Sequence, residues 1–379
     1  MAAALGVLAS CGSVKSGEDA IAASRDSKVV VAYVTSWSDV MPDPQCMTHI
    51  NYAFGHVNES FNGVKIDNEE RLKQIVDLKK QKPDLKVLLS IGGWGSGRFS
   101  EMAANDEYRR AFAVDCERVV EEFALDGIDI DWEYPTSSMA NISSSPDDTE
   151  NFTLLMQDIR AAIGNEKELT LATVASARYI DFKAILPTVD FVNIMAYDMA
   201  SAPKHHSALY PSGHSGDITS DGAVTAHLKA GVPPSKLVMG MPFYGRGGDG
   251  YPSFQDYNKV GNTDTQYTEK WDEVAQVPYL ADKNDTLVFG FENPRSLAIK
   301  CQYILDKDLL GGMYWDYSGD NEQGDLRRTV AENLLGKPHK AKVLVLTERG
   351  GQHGGFTDAG LKWLAAEGAK GNFSITEIN

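Results

Sequence analysis

Three carboxylates share one short run: Asp129, Asp131 and Glu133 alternate with Ile130 and Trp132 inside residues 126–135, DGIDIDWEYP. Successive side chains of a β-strand point to opposite faces, so this spacing puts all three acids on one face. Acids stacked this closely in a poorly solvated place cannot all stay ionised; each raises its neighbours' pKa and a proton is shared. The outermost, Glu133, at the strand's C-terminal end, is suited to be a protonated acid at neutral pH. Cation binding is the rival use. Calcium, the best such candidate, is usually held by a compact loop rich in carbonyl and amide oxygens, which this apolar strand does not offer. Stability alone explains the run poorly, because buried charge is costly.

A ladder of this kind needs a frame that ends a strand at an open mouth. Apolar, β-branched runs occupy residues 28–35, 48–56, 86–91, 127–131, 168–173, 190–196, 236–241 and 311–315, and helical spacing of apolar residues fills most intervals, as in 69–80, 107–123 and 149–163. Eight parallel β/α units predict an α/β fold closed as a TIM (β/α)8 barrel over residues 28–338, with chemistry at the strands' C-terminal ends. Residues 245–292 form too long an interval for a plain loop and hold, with Tyr244, the aromatics Tyr251, Phe254, Tyr257, Tyr267 and Trp271. They predict a small inserted lobe walling one side of a cleft. Residues 339–379 restart the pattern with a strand at 342–346, a Gly-rich turn at 350–355 and a helix at 357–367; forty residues cannot bury a core alone, so this is a docked appendage or the opening of a second domain.

The 379 residues are 42% hydrophobic and 23% charged, an ordinary globular composition, and the net charge of −17 disfavours nucleic acid, membrane surfaces and other polyanions while leaving a neutral polymer compatible. No apolar run approaches the roughly 20 residues of a membrane-spanning helix. Residues 1–10 are apolar and lead into Leu8-Ala9-Ser10-Cys11, which resembles a bacterial lipoprotein signal, although the usual basic residues are missing ahead of it. The expectation is a secreted or cell-envelope lipoprotein, on the outer membrane or cell surface, attached through lipidated Cys11 with 12–27 as a tether. Cys46, Cys116 and Cys301 make no disulfide framework, and Cys116 and Cys301 read as buried small hydrophobes. No spacing suggests a metal site, and no cofactor is expected. His205, His206 and His214, in the loop after the sixth strand, have no carboxylate partner in the sequence pattern that would fix them on a metal; they read as substrate-lining or solvated.

The decapeptide closely resembles the active-site signature of glycoside hydrolase family 18, the chitinases, and the resemblance extends over residues 28 to about 335. Further motifs agree in order: Val31 to Tyr33 with Trp37, Ser90 to Trp94, Met195 to Asp198, Gly240 to Arg246 and Met313 to Asp316. The resemblance implies substrate-assisted, retaining hydrolysis of chitin or N-acetylglucosamine oligosaccharides through an oxazolinium intermediate. Glu133 would be acid and base, Asp131 would accept the acetamido N–H, Asp129 would share a proton with Asp131 and tune its charge, and Tyr197 would donate to the acetamido oxygen. Asp198 would help hold the sugar. Trp315 is the expected floor under the distorted ring, with Trp94 and Tyr244 as walls, because pyranose C–H faces pack on flat aromatic surfaces. Arg246 and Met195 join the substrate-binding set. Tyr33 and Phe54 divide evenly between barrel core and site. Tyr134 is placed in the set by its motif, although strand alternation turns it, with Trp132, away from Glu133. An endo-β-N-acetylglucosaminidase acting on N-glycans shares the strand motif, and an inactive chitin-binding lectin is the alternative outside enzymes; the retained acids argue against the lectin. A monomer is expected. Residues 342–368 look like the opening of a ThuA-like, amidotransferase-type flavodoxin fold.

Overall fold

A computed structural model describes residues 28–248, 251–260 and 266–336, together with the backbone of 341–344 and 373–376. Its main sheet contains β1 (Val29–Thr35), β2 (His49–Val57), β3 (Val64–Ile66), β4 (Lys86–Gly92), β5 (Gly127–Asp131), β6 (Glu168–Val174), β7 (Phe191–Met195) and β8 (Leu237–Pro242). A later strand, Gly311–Trp315, lies between β8 and β1, and β1 also pairs with β2, so eight parallel strands close on themselves. This is the TIM barrel that the alternating pattern predicts. The short antiparallel β3 hangs on β2 outside the ring.

Strand parity divides the core. On β1, Val30, Ala32 and Val34 join the large outer cluster under the helices, while Val31 and Tyr33 point inward with Phe191, Val238 and Met313. On β5, Ile128 and Ile130 face outward, as does Trp132 just beyond the strand, which stacks on Phe99 (centroids 5.3 Å apart) against the helices, as expected. Asp129 and Asp131 take the inward positions left between them. The long helices α1 (Asp106–Glu122) and α2 (Asp148–Ile163) pack against each other outside this part of the ring. The N-cap Asn105 accepts hydrogen bonds from the Glu107 and Tyr108 amides, which fixes where α1 starts.

After β8 the chain passes Phe243 and enters an antiparallel sheet made of β9 (Tyr244–Gly247), β10 (Gln255–Asp256), β11 (Thr268–Asp272), β12 (Val277–Ala281) and β13 (Leu287–Gly290), ordered β10-β9-β13-β12-β11. Leu280, Val288, Phe289 and Phe291 form its own small core, with Tyr251, Tyr257 and Tyr267 packed on it. Helix α3 (Pro294–Asp306) follows and leads to β14 (Gly311–Trp315), the strand already placed beside β1. Beyond the barrel, β15 (Ala341–Leu344) pairs in parallel with β16 (Phe373–Thr376). The expected leader with Cys11, the Gly-rich turn and the helix at 357–367 lie outside the described residues. Cys46, Cys116 and Cys301 are buried free thiols.

Candidate active site

The mouth at the C-terminal ends of the strands opens on a cleft of about 870 Å³. Every residue expected to touch substrate lines it: Glu133, Asp131, Tyr197, Asp198, Trp315, Trp94, Tyr244, Arg246, Tyr33, Phe54, Met195 and Tyr134. Asp129 sits beneath, fully buried in the barrel. Tyr134 reaches the cleft because β5 ends at Asp131, so the two-residue alternation that would turn it away no longer governs it.

The three acids differ in their surroundings. Asp129 accepts hydrogen bonds from Tyr33 Oη (2.8 Å), Ser90 Oγ (2.8 Å), Thr170 Oγ1 (2.6 Å) and Asn193 Nδ2 (3.3 Å), one donor from each of four other barrel strands. Burial raises its pKa and these four donors oppose the rise. None of the donors is Asp131, so Asp129 acts on its neighbour by charge through space. Asp131 Oδ1 is buried with no hydrogen-bond partner among the described residues. Burial, then the charges of Glu133 and Asp129, lift Asp131 well above the usual carboxylate range. Glu133, at the cleft, is raised to about 7 by burial, aided by the charge of Asp198 and opposed by a hydrogen bond from Tyr134. A carboxyl poised there is protonated for part of its time at neutral pH and can both give and take a proton.

Around this ladder lies an aromatic floor. Trp315 stacks on Phe54 (5.5 Å, 22°) and stands 5.6 Å from the Tyr33 ring, whose hydroxyl reaches down to Asp129. Tyr33 and Phe54 therefore serve core and cleft together. Tyr197 turns its hydroxyl toward Met313 Sδ at 3.8 Å, a weak contact that leaves the O–H free to donate into the cleft. Burial raises the Tyr197 pKa far above the ordinary value, with the nearby acids adding to the rise, so it stays a donor.

Arg246 lines the cleft with its guanidinium paired to Asp198. Its Nε and Nη2 donate to Asp198 Oδ1 and Oδ2 at 2.7 and 2.5 Å, while its guanidinium lies over the rings of Tyr244 and Phe254. Burial alone would raise the Asp198 pKa, but the paired hydrogen bonds and charge of Arg246, with the His206 ring close by, overcome it and hold the carboxyl below its usual range. The loop histidines require a correction: none of the three lines the cleft, and two are not solvated. His205 and His206 are buried. His205 Nε2 stands 3.2 Å from Asp272 Oδ2 on the lobe, and burial depresses its pKa to about 4 against that attraction. His206 lies behind Asp198. Only His214 is exposed. Among the described residues no group of three or more His, Cys, Asp or Glu side chains could hold a metal.

Several lining residues were not singled out as substrate contacts, although Trp37 belongs to a quoted motif and Phe254 to the lobe expected to wall the cleft. Trp37 projects 64% exposed beside Trp315, Phe254 stacks on Tyr244 (4.7 Å), Tyr179 stacks on Tyr134 (5.4 Å), and Met139 and Arg178 reach in from the loops after β5 and β6. For all but Phe254, which the lobe supplies, a position in the loop after a barrel strand is the available signal.

A closed parallel barrel carrying a carboxyl of raised pKa beside aromatic plates at its C-terminal mouth is the arrangement of a glycoside-cleaving enzyme. The family model described as glycosyl hydrolases family 18 matches residues 29–320, and the chain belongs to that family. Chitotriosidase-1 of Mus musculus is 31% identical over 350 residues, covering 78% of this chain and 74% of that protein. Chitinase A1 of Niallia circulans is 30% identical over 415 residues, covering 81% of this chain; the match spans 58% of that protein's length. Among solved structures, a family 18 N-acetylglucosaminidase from Paenibacillus barengoltzii superposes with a TM-score of 0.75 at 33% identity, covering 81% of this chain and all of that one.

Proposed function

We propose that the protein is a retaining chitinase that hydrolyses β-1,4-linked N-acetylglucosamine chains with help from the substrate's own acetamido group. The observation that carries this reading is the pairing of Glu133, raised to about 7, with an Asp131 whose Oδ1 has no partner among the described residues. Glu133 gives its proton to the glycosidic oxygen. The 2-acetamido carbonyl oxygen attacks the anomeric carbon as that bond breaks, forming the oxazolinium ion. Asp131 accepts the acetamido N–H and offsets the ring's positive charge, and Tyr197 donates its hydroxyl to the acetamido oxygen to fix the line of attack. Water then adds to the anomeric carbon from the face the leaving group vacated. Glu133 takes its proton, so configuration is retained.

Trp315 and its neighbours supply the apolar plate on which a sugar ring can pack. The net charge of −17 suits a neutral polymer. The relatives named as chitinase and chitotriosidase support the substrate class. The likeness to an N-acetylglucosaminidase favours a second reading, release of single sugars from chain ends.

The test offers fluorogenic chitobioside and chitotrioside beside a high-mannose glycopeptide, with the anomeric form of the first product followed by NMR. Release of the β-anomer from the chito-oligosaccharides alone is expected. Cleavage of the glycopeptide alone, release of the α-anomer first, or no turnover of any substrate contradicts the reading. Chain length of the products separates chitinase from single-sugar release.

A further inference from the structure

His206 is sealed behind the cleft wall with no exposed side-chain surface, and the reaction scheme gives it no task. Neither ring nitrogen has a hydrogen-bond partner among the described residues. A buried imidazole left this way forfeits the bonds it would make with water, so such a residue calls for a use. Its Nδ1 stands 3.4 Å from Asp198 Oδ1, and its ring lies 5.3 Å from that of Tyr244.

Asp198 is thereby approached from two elements. Arg246, on β9 of the lobe, grips both carboxylate oxygens. His206 comes from the barrel's own loop after β7, and its main chain is anchored there: its carbonyl accepts from the Met199 amide at 3.0 Å, while the His205 amide donates to the His214 carbonyl at 2.7 Å. An arginine on an inserted lobe can shift with that lobe and take its carboxylate along. A second donor rooted in the barrel gives Asp198 a fixed reference relative to Glu133 and Tyr197. A gap of 3.4 Å is loose for a hydrogen bond, and contacts of this sort commonly tighten when substrate fills the site.

We propose that His206 is a positioning residue whose Nδ1–H pins Asp198 from the barrel side, so that the sugar meets a carboxylate held at two points. The proposal rests on the reading that Asp198 contacts the reacting sugar. The charged and titratable groups around that carboxylate are Arg246, His206, Tyr244, Tyr197, Tyr134 and Glu133. Because the Asp198 charge helps lift Glu133, a carboxylate that wanders alters the readiness of the acid as well as the seat of the sugar.

A double-mutant cycle on a fluorogenic chitotrioside tests this. His206→Leu should lower kcat/KM by about 10-fold or more, chiefly through KM, and shift the basic limb of the pH–rate profile. His206→Asn, whose amide nitrogen overlays Nδ1, should recover most of the loss. In an Asp198→Asn background, His206→Leu should cost less than about threefold, since its target is already gone. Equal losses in both backgrounds, or equal impairment by Asn and Leu, overturn the proposal. If His206→Leu does not fold, His206→Asn against His206→Gln in the same cycle decides, because the glutamine nitrogen overlays Nε2 and faces away from Asp198. Wild-type turnover of the chitotrioside checks the underlying reading separately. A failure there removes the premise, whereas additivity in an active enzyme removes only His206.

Discussion

Glu133 stands where protonation decides two properties at once. Its pKa rises from an ordinary value of 4.5 to about 7, chiefly through burial. As the acid it must carry a proton, so kcat/KM should fall as pH rises through about 7, a limb that a pH series on a fluorogenic oligosaccharide would trace. Stability follows the same sign. Below pH 4.5 the group is neutral in both folded and unfolded chains; between 4.5 and 7 the unfolded chain releases the proton first, and folding loses free energy as pH rises. The loss is on the order of 3 kcal/mol once the group is ionised. Glu133→Gln, which cannot ionise, should therefore raise Tm relative to wild type at pH 8 and leave it nearly unchanged at pH 4.5; equal shifts at both values would show that burial does not hold the proton. Asp129 and Asp131 were legible as one face because alternation is local, and Glu133 was legible as the next acid at the mouth, just past the end of β5. The donors to Asp129 were not: Ser90, Thr170 and Asn193 are single polar residues in apolar strands, and only closure of the ring shows that they converge.

At the scale of elements, the barrel strands begin and end within a residue or two of the expected runs, because each buries one face inside the ring and the other under helices and must be apolar on both. The lobe was legible as an interval but not as strands, since none of them shows a clean alternation: β12 and β13 are buried at almost every residue, while β10 and β11 have no buried residue. The loop histidines were misread because their partners, Asp198 and Asp272, are set by folding and not by local spacing. Two strands also set how closely the ladder can be approached. Gly92 closes β4 at φ +132°, and a methyl group there would stand 2.0 Å from the Asp131 carbonyl oxygen. Gly92→Ala should thus push β4 off β5, destabilise the fold by about 2–4 kcal/mol and displace Asp131. Urea unfolding with parallel kinetics would check it; a stable, fully active variant would mean the two strands can part without disturbing the site.

The whole molecule depends on a ring that closes and a lobe fixed to it. Glu292, just after β13, pairs with Lys300 on α3; neither has exposed side-chain surface, and Ser207 beside the histidines donates to the same Glu292 oxygen at 2.6 Å. Removing one charge strands the other, so Lys300→Met should destabilise by about 3–5 kcal/mol in urea melts, while Lys300→Met with Glu292→Gln should recover much of that. A double variant no better than the single would show that shape, not charge, holds the junction. The central claim, that Glu133 is the group that moves the proton, is met most directly by measuring turnover and binding of a chito-oligosaccharide by Glu133→Gln. The account predicts that hydrolysis falls by roughly 1,000-fold or more while binding, followed by tryptophan fluorescence, stays within a few-fold of wild type. Hydrolysis near the wild-type rate in that variant would contradict it.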